Sequence, residues 1–159
     1  MSRYHVDNRT AGTQQAITTT AKTQIVLAAI ATVQVCRGRV VALAYGPDSV
    51  PNATDCNIVY QVQRQSAIGS GAGSAATATL IDPGDAVSKS SAIVNYTVEG
   101  TYAGPIFTRA LNQRASQQWA AQDNDAMLRW AATAALGLTM TALSPTFTTA
   151  VFFGADFED

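Results

Sequence analysis

Short segments in which apolar and polar residues alternate make up most of the chain. Alternation puts every second side chain on one face, which is typical of a β-strand with one face in a core and the other toward solvent. The pattern is clearest at 57–65, where Ile58, Tyr60 and Val62 share a face and three glutamines occupy the opposite one. It recurs at 76–81, 93–99 and 136–142, and a run of threonine and aromatic residues follows at 147–153.

Two further segments, 24–35 and 39–45, are more continuously apolar, as strands buried on both faces are. Turns rich in proline, glycine, asparagine or aspartate separate the segments, at 46–48, 50–52, 82–85, 102–105 and 144–146. Strands at nearly regular spacing with turns between them predict an all-β protein with one antiparallel β-sandwich domain, jelly-roll-like in type. The polar segment 1–13 is interpreted as an N-terminal arm, and 14–159 as the sandwich domain.

The stretch 110–143 permits two interpretations. Its alanine, glutamine and leucine content favours a helix that carries Trp119 and Trp130 on one face. The Gln-Asp-Asn-Asp tetrad at 122–125 interrupts that helix, because these residues favour caps and turns. We therefore predict two strands, 116–121 and 127–130, joined as in a hairpin with the tryptophans near each other. A short helix within 123–135 is the alternative.

Charged residues form 13% of the chain and the net charge is −1, about half the usual charged share of ~25%. This balance gives no basic surface for nucleic acid. The first 20 residues lack the apolar core of a signal peptide, and the longest apolar run, 25–31, is far shorter than the ~20 residues of a membrane helix. We expect a protein made in a cytoplasm that does not enter a membrane. Its neutral, hydroxyl-rich surface favours an assembly component over a free monomer with a bland surface.

Candidate catalytic and metal-binding groups are few. His5 is the single histidine of the chain, and an arm near a terminus holds a general base poorly. Two aspartate pairs, 82 with 85 and 123 with 125, are interpreted as turn residues. The glycine-rich segment 68–74 departs from nucleotide-binding patterns and is interpreted as a flexible loop, or as one that orders against a partner. The sequence predicts neither an enzyme nor a protein that binds a metal or cofactor.

Four segments carry a resemblance to a known group of proteins. These segments are 4–17, 80–86, 94–100 and 111–119. Together they resemble small virion proteins of tailed bacteriophages, over nearly the whole chain. Among phage proteins, small β-rich accessory chains of this size are similar to capsid decoration (cement) proteins. The resemblance implies a homotrimer that binds the phage major capsid protein, lies on the outside of the capsid after synthesis in the host cytoplasm, and stabilises it.

Two alternative functions are kept. One is a tail, baseplate or head-fibre protein that binds a host glycan through exposed aromatic residues, for which Tyr45, Tyr102 and Trp130 are the candidates. The other is a β-sandwich unrelated to viruses that binds a ligand or peptide in an apolar pocket.

Both ends of the chain are candidate contact regions. The arm is expected to order by adding a strand to a neighbour or lying across it. The aromatic C-terminus is either a second contact or a last core strand with a frayed end. The candidate partner contacts are Tyr4, His5, Val6, Asn8, Arg9, Phe152, Phe153 and Phe157.

Overall fold

The computed structural model describes residues 2–30, 37–67, 73–123, 128–132 and 136–159. Within these ranges the regular secondary structure is entirely β, which confirms the predicted fold class. The strands are β1 (Arg3–Asp7), β2 (Lys22–Ala29), β3 (Arg39–Pro47), β4 (Asn57–Ala67), β5 (Ser74–Ala76), β6 (Thr79–Leu80), β7 (Ser90–Val94), β8 (Thr101–Asn112), β9 (Gln117–Ala120), β10 (Leu128–Arg129), β11 (Leu138–Leu143) and β12 (Val151–Glu158).

The strands form two antiparallel sheets that pack face to face. Sheet I has the order β10-β3-β12-β1-β6, with β9 paired to β3 beside β10. Sheet II has the order β5-β7-β2-β11-β4-β8. The antiparallel β-sandwich is therefore confirmed, and the jelly-roll type stays a prediction.

Aromatic side chains from both sheets meet in the middle of the core. Tyr45 and Phe153 of sheet I lie 5.7 Å apart between ring centroids, and Tyr60 of sheet II lies 5.0 Å from Tyr45 and 5.5 Å from Phe153. All three side chains are fully buried. Each large ring removes considerable apolar area from water, and tilted ring pairs add about 0.5–1.5 kcal/mol beyond that. These three rings thus join the two layers directly.

The C-terminal segment forms a central strand of sheet I. β12 lies between β1 and β3, with Phe153 and Phe157 in the core. The run predicted at 147–153 becomes a strand only at Val151, after an isolated bridge between Ile17 and Thr149. Of the two alternatives for this end of the chain, the structure has the core strand.

Residues 3–7, predicted to lie in a separate arm, form β1 within the sandwich. β1 pairs with β12 along its whole length, and Tyr4 and Val6 are only 1% and 2% exposed. The Tyr4 ring stacks on Phe157 at 5.3 Å, and its hydroxyl donates a hydrogen bond to the Ala86 carbonyl at 2.7 Å. The boundary at residue 13 is therefore corrected. Two apolar side chains at alternate positions are enough to insert this otherwise polar segment into a sheet.

The strand interpretation of 110–143 is correct for the described residues, but the predicted hairpin is wrong. β9 and β10 do not pair with each other; both pair with the same edge of β3, at Ala42–Tyr45 and at Arg39–Val40. Residues 128–129 are strand, whereas 124–127 and 133–135, on which most of the alternative helix falls, lie outside the described residues.

The two tryptophans anchor β9 and β10 at separate places. Trp119 packs on Phe107 at 5.6 Å, and Trp130 packs on Phe157 at 5.7 Å. Trp130 also packs against Gly38, where an added Cβ would come within 1.8 Å of an atom of its ring. Its amide donates to the Gly38 carbonyl at 3.1 Å. The two rings thus pack at different places against aromatic residues and do not face each other across a hairpin.

Two predicted local structures are also corrected. The strand expected at 93–99 ends at Val94, because Asn95 turns the chain with a positive φ of 57°, a conformation that asparagine tolerates better than most residues. The turn expected at 102–105 is instead part of β8. Pro105 fits there because β8 is an edge strand, and register shifts against β4 accommodate this half of it.

We expect the Phe157→Ala variant to lose about 3–5 kcal/mol of unfolding free energy, because it leaves a cavity beneath Tyr4 and Trp130. Chemical denaturation measures this loss. Phe152→Ala is the matched control, since Phe152 lies on the same strand but on the outer face, where it contacts the Arg9 guanidinium. It should cost about 1 kcal/mol or less. Equal losses in the two variants would contradict the placement of β12.

Candidate interaction surface

A groove of about 260 Å³ crosses the outer face of sheet I. It exists because small residues of the two middle strands, Gly154 of β12 and Ala42 and Ala44 of β3, lie between the larger side chains of His5, Asp156 and Gln118. The floor consists of Gly154, Ala42 and Ala44, with His5 and Asp156 on one wall and Gln118 and Ala120 on the other. The groove is partly open to solvent, so it fits a protruding polypeptide segment better than an enclosed small molecule.

Two carboxylates hold the His5 ring in place at the wall of the groove. Its Nδ1 lies 2.7 Å from Asp156 Oδ1, and its Nε2 lies 3.6 Å from Asp7 Oδ2. The side chain is 44% exposed. Gly154 leaves room beneath the ring, since an added Cβ would be 3.3 Å from His5 Cε1. This wall therefore offers partly accessible carboxylate oxygens and an imidazole edge to hydrogen-bonding groups of a partner.

The residues lining the groove include no serine, threonine, cysteine or lysine. The imidazole–carboxylate pair thus has no side-chain nucleophile beside it that it could activate. Within the described ranges, no group of three or more histidine, cysteine, aspartate or glutamate side chains is positioned to hold a metal ion. What this lining can do chemically is accept and donate hydrogen bonds above an apolar floor.

Charged side chains on sheet I are paired within the chain. Glu158 accepts from Arg39 at 2.7 Å and from Arg3 at 3.1 Å. Burial alone would raise the pKa of Glu158, but these hydrogen bonds outweigh it and lower the pKa below its ordinary value. At the other end of the sheet, Arg9 and Asp48 form a pair at 2.5 Å. The hydrogen bond from Arg9 lowers the pKa of Asp48 despite partial burial. Such internal pairing leaves little net charge on the face.

The structure separates the predicted partner contacts into two groups. Five are buried in the core of their own chain, and a partner could not reach them: Tyr4, Val6, Asn8, Phe153 and Phe157. The other three lie at the surface. Of these, His5 lines the groove, whereas the Arg9 guanidinium lies 4.4 Å over the Phe152 ring on the same sheet. The error has a physical cause, since apolar residues near a terminus serve a core strand as well as a contact.

Asn8 is fully buried and forms hydrogen bonds with both sheets. Its backbone amide donates to the Phe153 carbonyl at 3.1 Å, and its side-chain oxygen accepts from the Phe153 amide at 3.0 Å. Its side-chain nitrogen donates to Gln24 of sheet II and to the Val151 carbonyl, both at 2.9 Å. Its carbonyl accepts from the Asn95 side chain at 2.9 Å. Every polar group of Asn8 is thus used inside the protein.

The aromatic residues proposed for glycan binding are not free at the surface. Tyr45 and Trp130 are buried in the core, at 0% and 2% exposure. The Tyr102 hydroxyl donates to Glu99 at 2.5 Å and also contacts the Thr23 hydroxyl. Burial raises the pKa of Tyr102 above its ordinary value, and the hydrogen bond to Glu99 adds to this. This corrects their expected role as an exposed aromatic platform.

Sequence reasoning missed the groove, although a signal for it existed. Ala42 and Ala44 alternate with Val41, Leu43 and Tyr45 in β3, so one face of a strand carries only small side chains. The apolar run predicts a strand buried on both faces, whereas Ala42 and Ala44 are partly exposed on the outer face of sheet I. The glycine-rich segment 68–74, considered as a possible partner loop, falls mainly on 68–72, which lie outside the described residues.

Comparisons with protein-family models, with curated proteins and with solved structures find no match for this chain. The part of the chain that the structure describes contains no helix with the length and apolar character needed to cross a membrane.

We expect Asn8→Ala to lower the unfolding free energy by about 2–4 kcal/mol, because it leaves the Phe153 amide and the Gln24 side-chain oxygen without their buried partner and removes a donor to the Val151 carbonyl. Asn52→Ala is the control. Asn52 lies in an exposed turn, where its side chain accepts only the Thr54 amide at 3.2 Å, and its loss should stay within about 0.5 kcal/mol. Chemical denaturation curves of the two variants measure these losses. A loss at Asn8→Ala as small as that of Asn52→Ala would contradict the prediction and show that water replaces the side-chain amide.

The Asp48 pKa predicts how stability changes in acid. Since the pKa is lower in the folded than in the unfolded state, the carboxylate contributes stability above its unfolded pKa and loses it as the pH falls through the folded pKa. Unfolding free energy measured as a function of pH should therefore decline less steeply in acid for Asp48→Asn than for the wild type. Asp55→Asn removes a more exposed carboxylate, paired with Arg114, and should change the slope less. The reverse order would contradict this assignment.

Proposed function

We propose that the protein is a structural component of a tailed-phage virion, a decoration protein that binds the outer surface of the capsid through sheet I. The groove above Gly154, Ala42 and Ala44 is the observation that carries the proposal. It lies on a sheet face where charges are paired within the chain and polar groups stand at the wall. A segment of a capsid subunit could lie along it, with its side chains over the small residues and its polar groups toward His5 and Asp156.

Two other properties support this function. The net charge of −1 over 159 residues gives weak long-range repulsion between copies that must crowd on a shell. The antiparallel sandwich is rigid because both sheets share one aromatic core, and a rigid protein that bridges neighbouring subunits loses little entropy when it binds. Contacts with several subunits at once would raise the net affinity above that of any single contact.

The location of the chain tests the proposal most directly. Mass spectrometry of purified virions should find the chain in the particle, and a density map should place it outside the capsid with sheet I toward the shell. A chain found inside the capsid, in the tail, or absent from the particle would rule out the decoration function.

We expect Ala44→Arg to weaken binding to capsids that lack this protein by at least about tenfold, because the long side chain fills the groove. Ala44 is partly exposed on the outer face, so the far-ultraviolet spectrum should stay that of the wild type. Co-sedimentation with capsids measures binding. Val50→Arg introduces the same side chain at a residue that is 90% exposed in a loop, and it should bind as the wild type does. Unchanged binding of Ala44→Arg would exclude the groove as the contact.

A further inference from the structure

The edges of the two sheets differ greatly in length. An edge strand presents unpaired backbone N–H and C=O groups, and short edge strands limit this exposure. Among the described strands, the edges formed by β5, β6, β9 and β10 have two to four residues each, whereas β8 has 12. β8 is therefore the edge with the most backbone available for pairing.

The first half of β8 is protected against pairing. Gly104 has a positive φ of 112°, and Pro105 has no N–H to donate. Register shifts against β4 occur at three places between Val62 and Ala67. Bulges and proline at an edge prevent another strand from docking there.

The second half of β8 carries no such protection. Residues 107–112 pair with β4 without any register shift, from Val62 opposite Phe107 to Asn57 opposite Asn112. Residues 108–110 are exposed, and the neighbouring Ile106 is 41% exposed although it is apolar. The one charged residue in this half is Arg109, whose guanidinium lies 4.9 Å over the Phe107 ring and donates to the Thr108 carbonyl at 2.9 Å. A regular, nearly uncharged edge is what strand addition requires.

We propose that 106–110 of β8 pairs antiparallel with the same segment of a second copy, so that two copies of sheet II join across a twofold axis. In such a pair one residue must face its own copy. With Thr108 on the axis, threonine faces threonine, and Phe107 of each copy faces Arg109 of the other. The guanidinium that now covers its own Phe107 then covers the ring of the second copy. Threonine pairs and cation–aromatic pairs both stabilise neighbouring strands.

Self-complementarity identifies a second copy as the occupant. Centring the pair on Arg109 would place two guanidinium groups opposite each other, which is unfavourable, whereas centring on Thr108 places no like charges together. The net charge of −1 adds little repulsion between copies. This contact uses the edge of sheet II, not the groove of sheet I, and it does not depend on the proposed function. It also differs from the threefold assembly implied by the resemblance to decoration proteins.

Native mass spectrometry and analytical ultracentrifugation of the full chain test the proposal. The wild type should form a dimer, twice the 16.6 kDa of one chain. Thr108→Asp places two carboxylates on the axis and should weaken dimerisation at least about tenfold. Thr108 is exposed, so the variant should fold, and its far-ultraviolet spectrum checks this. Thr101→Asp is the matched control, an exposed threonine in the protected half of β8, and it should remain dimeric.

A charge-complementation experiment tests whether the two copies of residue 108 face each other on the twofold axis. Thr108→Lys alone should also dissociate, and mixing it with Thr108→Asp should restore a dimer that contains one chain of each, because opposite charges then face each other. A wild type that is a monomer or a trimer, or a Thr108→Asp variant that dimerises as the wild type does, would overturn the proposal. So would a mixture of the two variants that stays monomeric. None of these results affects whether sheet I binds a capsid.

Discussion

The buried amide of Asn8 is the interaction on which the arrangement of both sheets depends. It satisfies backbone groups of β12 on one side and Gln24 of β2 on the other, so a single side chain fixes the end of β1 relative to both layers. A buried polar group must find its partners inside the protein, and only one mutual position of the strands provides them all. The aromatic core supplies most of the apolar burial, and Asn8 specifies the position in which the layers meet.

The outer surface follows from that internal constraint. With the end of β1 fixed, its alternation turns Tyr4 and Val6 inward and His5 and Asp7 outward. β12 brings Asp156 beside His5 and the bare backbone of Gly154 beneath it. The groove is thus the outward side of the same strands whose inward side forms the core. The proposed capsid contact therefore depends on the outward face of β1, β3 and β12, and the stability of the fold depends on the inward face of the same strands.

The fold class could be predicted because alternation is a local property. Ile58, Tyr60 and Val62 share a face in the sequence, and all three are fully buried in β4. Pairing could not be predicted in the same way, because a strand pattern does not identify its partner. The sequence pattern therefore predicts a hairpin of 116–121 with 127–130, whereas β9 and β10 both pair with β3. Asn8 and His5 are polar residues in a polar segment, so the sequence does not distinguish them from their neighbours. β12, which is distant in sequence, buries Asn8 and places the Asp156 carboxylate beside His5.

The position of β12 affects the rate of folding, because the last strand in sequence lies in the middle of sheet I. Its neighbours in sheet I are β1 and β3, and the pairing of Arg3 with Glu158 joins residues 155 positions apart. During synthesis on the ribosome, the edges of β1 and β3 that pair with β12 stay unpaired until β12 has emerged. Folding should accordingly be slow and completed only after β12 has been synthesised, as expected for sheets with long-range pairing. Such a chain would benefit from a chaperone that shields β1 and β3 in the interval.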